Sequence, residues 1–163
     1  MPPASSLSPP AGGPVLGVDV GGTKVAVAEL VRGKALDPVE RPTDLSGTAA
    51  LLTGIEAAVG EVAARTGPPV AVGVGVPSQV EAASGRVLSS VNIPLAGVPL
   101  REELGRRLRA PVAVDNDANC AALAEAERAP GGPARHLVML TLGTGVGGGV
   151  VIGGRIFRGA GGL

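Results

Sequence analysis

Apolar residues along this chain fall in short blocks punctuated by glycine and proline. Val15 to Val20 is an apolar run closed by Gly21-Gly22, and Lys24 to Leu30 follows with alternating β-branched residues. The two blocks predict a β-hairpin on a tight glycine turn. A third strand is placed over Lys34 to Glu40. The period then changes. Leu51, Leu52, Ile55, Val59, Val62 and Ala63 recur three and four residues apart, which predicts a helix from about Gly47 to Thr66 with Ser46 as its N-cap. Gly67-Pro68-Pro69 stops it.

Val70 to Val76 predicts a compact strand. Pro77 through Ser84-Gly85 reads as a loop and Arg86 to Leu88 as a short strand. Pro99 suits the first turn of a helix running to Leu108. Val112 to Val114 predicts another short strand, and Asp115 or Asn116 caps a helix from about Ala118 to Arg128. After a turn over Pro130 to Pro133, His136 to Leu142 is a strand ended by the glycine run Gly143 to Gly149. Val150 to Ile152 and Arg155 to Phe157 predict a second hairpin around Gly153-Gly154. The order β-β-β-α-β-β-α-β-α-β-β-β implies an α/β fold, a mixed sheet with helices on its faces. No helix follows the last three strands to cover them, so the chain reads as ending inside a domain.

Composition narrows the chemistry. The chain has 163 residues, 45% of them hydrophobic, and 14 basic against 14 acidic residues. A neutral surface gives no electrostatic reason to expect nucleic acid or an anionic membrane as partner. The basic cluster Arg101 to Arg109 is interleaved with Glu102 and Glu103 and reads as a solvated helix face. Phe157 is the only aromatic residue. Ring platforms for stacking bases or sugars are therefore missing, and a bound sugar must be held by hydrogen bonds. Cys120 is the only cysteine, which rules out an intrachain disulfide and fits a reducing compartment; in its Ala-rich run it reads as a small buried hydrophobe. Met1 to Pro14 lacks the basic and apolar regions of a signal peptide and predicts a disordered leader. No apolar run is long enough to span a membrane.

Four segments carry candidate chemistry. In Asp19-Val-Gly-Gly-Thr-Lys24, two glycines let backbone N–H groups approach an anion and Thr23 adds a hydroxyl. Asp19 could hold Mg²⁺ directly or through water. An ordinary hairpin turn is the competing reading. Leu142-Gly-Thr-Gly-Val-Gly-Gly-Gly149 also follows a strand. It contains G-x-G-x-x-G, but a strand-like segment follows instead of a helix, so a dinucleotide site is disfavoured. A P-loop is absent. Asp115-Asn-Asp-Ala-Asn119 lies between a strand and a helix. One cap needs one such residue, and four polar residues in five positions exceed that need; a carboxylate there can accept a hydroxyl proton. In Ser90-Val-Asn-Ile-Pro94, Asn92 offers an amide to a sugar hydroxyl or forms a turn.

Together these segments resemble the ROK family of bacterial glucokinases, related sugar kinases and sugar-responsive repressors. Gly17 to Lys24 resembles the family's first phosphate motif, Val114 to Asn119 with Ala121 to Glu125 its catalytic segment, and Leu142 to Gly149 its second phosphate motif. Val98 to Leu104 matches a further typical stretch. The resemblance runs from about Val15 to Leu163. It implies an actin-like ATPase (ribonuclease H-like) fold with ATP and sugar between two lobes: an N-terminal lobe over residues 15–114 and the start of a second over 115–163. It implies an ATP-dependent hexose kinase, glucokinase-type first.

By position, Asp117 is then the catalytic base, with Asn92 and Asn116 on the sugar. Asp19 faces Mg²⁺. Gly21, Gly22, Thr23 and Lys24 line the phosphates from one side and Gly143, Thr144 and Gly145 from the other. A structural zinc is implied only for the portion of the family beyond this chain, as are a Glu and a His on the sugar. A cytoplasmic homodimer is implied for the full-length protein. Ser78-Gln79-Val80 departs from the glycine-containing turn usual after the proline. The alternatives are a repressor of the same family, disfavoured because 14 residues cannot hold a helix-turn-helix, and a non-catalytic ATP-binding fragment.

Overall fold

The computed structural model describes residues 12–142 and 145–159. Most of the predicted leader, together with Gly143 and Thr144 of the second glycine motif, lies outside the described residues. The strands are β1 (Val15–Val20), β2 (Lys24–Val31), β3 (Lys34–Pro42), β4 (Ala71–Val76), β5 (Ser78–Glu81), β6 (Arg86–Ser90), β7 (Val112–Asn116), β8 (His136–Leu142), β9 (Val146–Ile152) and β10 (Arg155–Ile156). The helices are α1 (Thr48–Thr66), α2 (Leu100–Leu108) and α3 (Asp117–Glu127). A five-stranded mixed sheet runs β3-β2-β1-β4-β7, beside a three-stranded sheet β10-β9-β8 and the hairpin β5-β6. Strands β1, β4 and β7 are mutually parallel, while β2 and β3 join β1 as an antiparallel meander.

Alternation explains which face is filled. Leu16, Val18 and Val20 of β1, with Val72, Val74 and Val76 of β4, are buried in one cluster with Leu51, Leu52, Ile55, Val59 and Val62 of α1 and Leu100 and Leu104 of α2. Both helices therefore cover the same face. Burying each such side chain contributes roughly 1.5–3 kcal/mol. The other face of the sheet presents Gly17, Ala26, Ala28, Gly73, Gly75 and Ala113, and α3 covers it only near β4 and β7.

A second, smaller cluster joins Ala122 and Ala126 of α3 to Val151 of β9, with Leu137, Met139 and Ile156 against it. Its closeness depends on glycine. A Cβ built on Gly149 lies 2.5 Å from the Ala122 Cβ and 2.9 Å from the Ala118 carbonyl oxygen. Such distances leave no room, so α3 lies directly on the backbone of β9.

Three sequence expectations change. The run Gly143 to Gly149 is not a loop throughout, because β9 already begins at Val146 and its glycines serve packing. The stretch after Pro77 forms β5, which pairs with β6 as a hairpin. Ser46 does not cap α1. Its backbone N–H and Oγ donate to Asp44 Oδ1 at 2.9 and 2.6 Å, and Gly47 takes the cap position without a side-chain bond. The two donors, the Ser46 hydroxyl first, hold the Asp44 carboxyl below its usual range.

The basic cluster does more than face solvent. Arg107 pairs with Glu56 of α1 at 3.0 Å, and Arg101 donates to the Ser84 and Ala83 carbonyls of the β5–β6 turn. Among the described residues no helix is long and apolar enough to cross a membrane.

Two outcomes follow from this packing. Gly149→Ala should destabilise the chain by about 1–3 kcal/mol in urea unfolding, and adding Ala122→Gly should recover part of the loss. The outer face of β8 and β9 leaves Val138, Leu140, Leu142 and Val146 between 69% and 80% exposed, an apolar patch expected to self-associate. Leu140→Lys with Val138→Lys should raise the monomer fraction in sedimentation velocity without lowering the melting temperature.

Candidate active site

Parallel register assembles the site. Asp19 of β1 pairs with Gly75 of β4, and Gly75 pairs with Asp115 of β7. The three form one rung toward the C-terminal ends of the parallel strands, the usual place for a ligand in such sheets. Only a small residue fits at Gly75 because α3 rides over it. A Cβ on Gly75 sits 3.5 Å from the Asp117 Cα and 3.7 Å from the Cys120 Sγ, so anything larger than alanine meets the helix. Asp117 thus lies above the rung with Asp19 beside it.

The electrostatics agree with that placement. Partial burial first, then the charge of Asp117, raise the Asp19 carboxyl above its usual value, while Lys24 pulls it back. Cys120 is exposed, not buried as its sequence suggests. Its thiol is pushed up to about 11 by desolvation and by the charges of Asp115, Asp117 and Asp19, which leaves it a poor nucleophile.

The β7–α3 junction is tightly bonded. Asn116 caps α3, its Oδ1 accepting from the N–H groups of Ala118 and Asn119 at 3.0 and 3.1 Å. Its amide nitrogen lies 3.5 and 3.4 Å from the carbonyls of Val76 and Ser78. Asn116, expected to bond sugar, thus has backbone partners while it also lines a cavity. Asp115 Oδ1 accepts from Asn116 N–H at 2.8 Å and from Asn119 Nδ2 at 3.2 Å, and its Oδ2 from Arg158 Nη2. Asp117 Oδ1 accepts from Ala118 N–H at 2.8 Å, and the side chain lines a cavity.

The first glycine turn is held from behind. Gly21 N–H donates to the Lys24 carbonyl at 2.8 Å, and Thr43 N–H to the Thr23 carbonyl at 3.0 Å. Thr43 Oγ1 donates to the Gly21 carbonyl at 2.7 Å. Gly22 and Thr23 are exposed. A Cβ on Gly22 falls 3.9 Å from the Asn92 Cβ, so this turn and the Asn92 loop are neighbours. Lys24 Nζ points across the strands to Glu40 at 2.5 Å. Of the second glycine motif, Gly145 is exposed with open space at its Cα; it leads into β9, whose Gly147 and Gly148 line the same cavity as Asp117.

That cavity, about 330 Å³, is walled by Ser78, Gln79, Ser89 and Ser90 of the β5–β6 hairpin facing Asn116 and Asp117. Ser78 Oγ and Ser90 Oγ bond at 2.9 Å, Ser90 Oγ donates to the Ile93 carbonyl at 2.7 Å, and Ser89 Oγ donates to Gln79 Oε1 at 3.1 Å. This polar wall and Thr43 escaped the sequence reading. Val80 and Val87 stand on either side of the Ser84-Gly85 turn, but one buried apolar residue per strand is too short a pattern to separate a hairpin from a loop. Without rings, the cavity suits a polyhydroxylated ligand.

Exposed glycine backbone beside a carboxylate suits a phosphate with a divalent ion. Mg²⁺ in such sites takes one or two carboxylates, phosphate oxygens and water. Asp19, whose carboxyl is raised by partial burial and by the neighbouring Asp117 charge despite Lys24, fits that role. No cluster of three His, Cys, Asp or Glu side chains occurs among the described residues.

Sequence comparison agrees with this arrangement: the profile of the ROK family matches residues 15–163. The chain belongs to the ROK family. It is 36% identical over 154 residues to a glucokinase of Halalkalibacterium halodurans, covering 91% of this chain and 47% of that protein. It is 40% identical over 145 residues to an N-acetyl-D-glucosamine kinase of Salmonella arizonae, covering 88% and 48%. Among solved structures, a ROK family glucokinase from Streptomyces griseus in complex with glucose and AMPPNP superposes with a TM-score of 0.84 at 34% identity, covering 93% of this chain and 48% of that one. The chain spans about half the length of these relatives. Its α/β fold is that of the ROK sugar kinases, the actin-like ATPase fold.

Asp19 also sets a pH dependence. Its carboxyl titrates higher in the folded chain than unfolded, so the folded state binds the extra proton and stability falls as pH rises through that window. Asp19→Asn should therefore raise the melting temperature at pH 7. The gain should vanish below the ordinary value of 3.8, where both forms are neutral; calorimetry across pH checks both halves.

Proposed function

We propose that this chain supplies the nucleotide-phosphate turn, the sugar cavity and the general base of an ATP-dependent hexose kinase, with glucose the first candidate acceptor. One observation carries the reading. Asp117 lines a cavity whose hairpin wall carries serine hydroxyls and the Gln79 amide and no aromatic ring, and it shares the open face of the sheet with Asp19, while the Gly21–Thr23 turn adjoins the Asn92 loop. An acceptor hydroxyl can thus meet a carboxylate at one end and a phosphoryl group at the other. Asp117 takes the hydroxyl proton. Asn92 and the serines of the β5–β6 wall orient the sugar. The N–H groups of Gly22 and Thr23, with Gly145 opposite, hold phosphate oxygens. Asp19 would hold Mg²⁺, which would supply charge neutralisation for the transferring group. Phosphoryl transfer asks mainly for such positioning and charge neutralisation.

The relatives support both the activity and its breadth, since their names include glucokinase and N-acetyl-D-glucosamine kinase. A structural relative from Arthrobacter is an inorganic polyphosphate/ATP-glucomannokinase, so polyphosphate belongs in the donor panel. We place the boundary between lobes at Asp115, where the large cluster gives way to the one on α3. The cytoplasm supplies the ATP and reducing conditions this reading requires. With half the relatives' length, the 163 residues alone are expected to bind ATP weakly and turn over little.

The test is a panel of glucose, N-acetylglucosamine, N-acetylmannosamine and fructose with ATP or polyphosphate, run on the protein that carries this chain. Asp117→Asn should lower kcat by about 10²- to 10⁴-fold while sugar binding by calorimetry persists. Full turnover in that variant would remove Asp117 from the base role, and no phosphorylation of any sugar would end the kinase reading.

A further inference from the structure

The geometry points to Arg158 and Asp115 as a positioning pair that fixes the turn carrying Asp117; the inference rests on reading Asp117 as the base. Asp115 is not itself aimed at the acceptor. Its Oδ1 bonds the backbone of Asn116 and the side chain of Asn119, residues on either side of Asp117. One carboxylate oxygen therefore spans the turn. The other oxygen receives Arg158 Nη2, from the segment just past β10, 43 residues along the chain. Asp115 is the one acid paired with Arg158 among the described residues, and the Arg158 Nε is buried without a partner among them. The guanidinium is thus held at this junction by a single carboxylate.

Two consequences follow. A charge-assisted bond is shorter and stiffer than a neutral one, so the pair ties the start of α3 to the three-stranded sheet at the point where the base is carried. The cation also offsets a carboxylate two residues from Asp117, at a site that already holds Asp19. Removing Arg158 leaves Asp115 partly buried with no countercharge, free to let its turn shift. A displacement of about 1 Å at a reacting group costs about a hundredfold in rate.

Two measurements test this. In the 163-residue chain, Arg158→Met should speed hydrogen exchange at the Ala118 and Asn119 amides by about tenfold or more and leave Ala126, at the far end of α3, unchanged. In the protein that carries this chain, Arg158→Met and Asp115→Asn should each lower kcat by about 10- to 100-fold with KM for sugar and ATP within about threefold. Arg158→Lys and added guanidinium ion should restore part of the rate. The double variant should be no worse than the poorer single one. Unchanged exchange at Ala118 and Asn119, a raised KM for ATP with normal kcat, or multiplicative losses in the double variant would each overturn the pair. If Asp117→Asn also keeps full turnover, the base assignment itself has failed; if Asp117→Asn is dead while Arg158→Met is normal, only the pair has.

Discussion

Parallel pairing of β1, β4 and β7 in one register is the constraint on which the site depends. It sets Asp19, Gly75 and Asp115 in a row across three strands drawn from distant parts of the sequence. A slip of one residue in any of them would turn the carboxylates toward the packed helices, since side chains alternate faces. Val18, Val20, Val74 and Val76 oppose that slip, because each is buried on the helix side and would be exposed by it. Hydrophobic burial on one face therefore holds polar chemistry on the other.

The empty centre of the row matters as much as its ends. Gly75 leaves space under the first turn of α3, Gly149 lets the same helix settle on β9, and Gly147 makes room for the Thr141 side chain of β8. α3 is poorly amphipathic and Ala-rich, with small residues where it touches other backbone. Its position is set by close approach of main chains, not by large interlocking side chains. That leaves less burial energy per contact and more demand on the hydrogen bonds of Asn116 and Asp115 at its start.

Much of this was legible beforehand, and the exceptions have physical causes. β-branched alternation gave β1, β2 and β4, and the three-to-four spacing of Leu51 to Val62 gave α1. Glycine misled in one segment: it usually marks a turn, whereas in β9 it marks a strand pressed on a helix. β5 has only Val80 as an apolar anchor and follows a proline, so local pattern could not separate it from a loop. Ser46 has a good cap residue's chemistry, but Asp44 lies two residues away and captures both its donors. The density of polar groups singled out the segment from Asp115 to Asn119; that Asn116 caps α3 while also lining the cavity with Asp117 depends on how β7 meets the helix. The β5–β6 wall was out of reach for the same reason as β5.

α3 belongs to both packing units. Its first turn is bonded to the end of β7, and its remaining turns lie on the three-stranded sheet. When two bodies rotate against each other, displacement grows with distance from the axis, and the junction they share travels least. Asp117 occupies that junction. A side chain carried there shifts less than one at the rim of either unit.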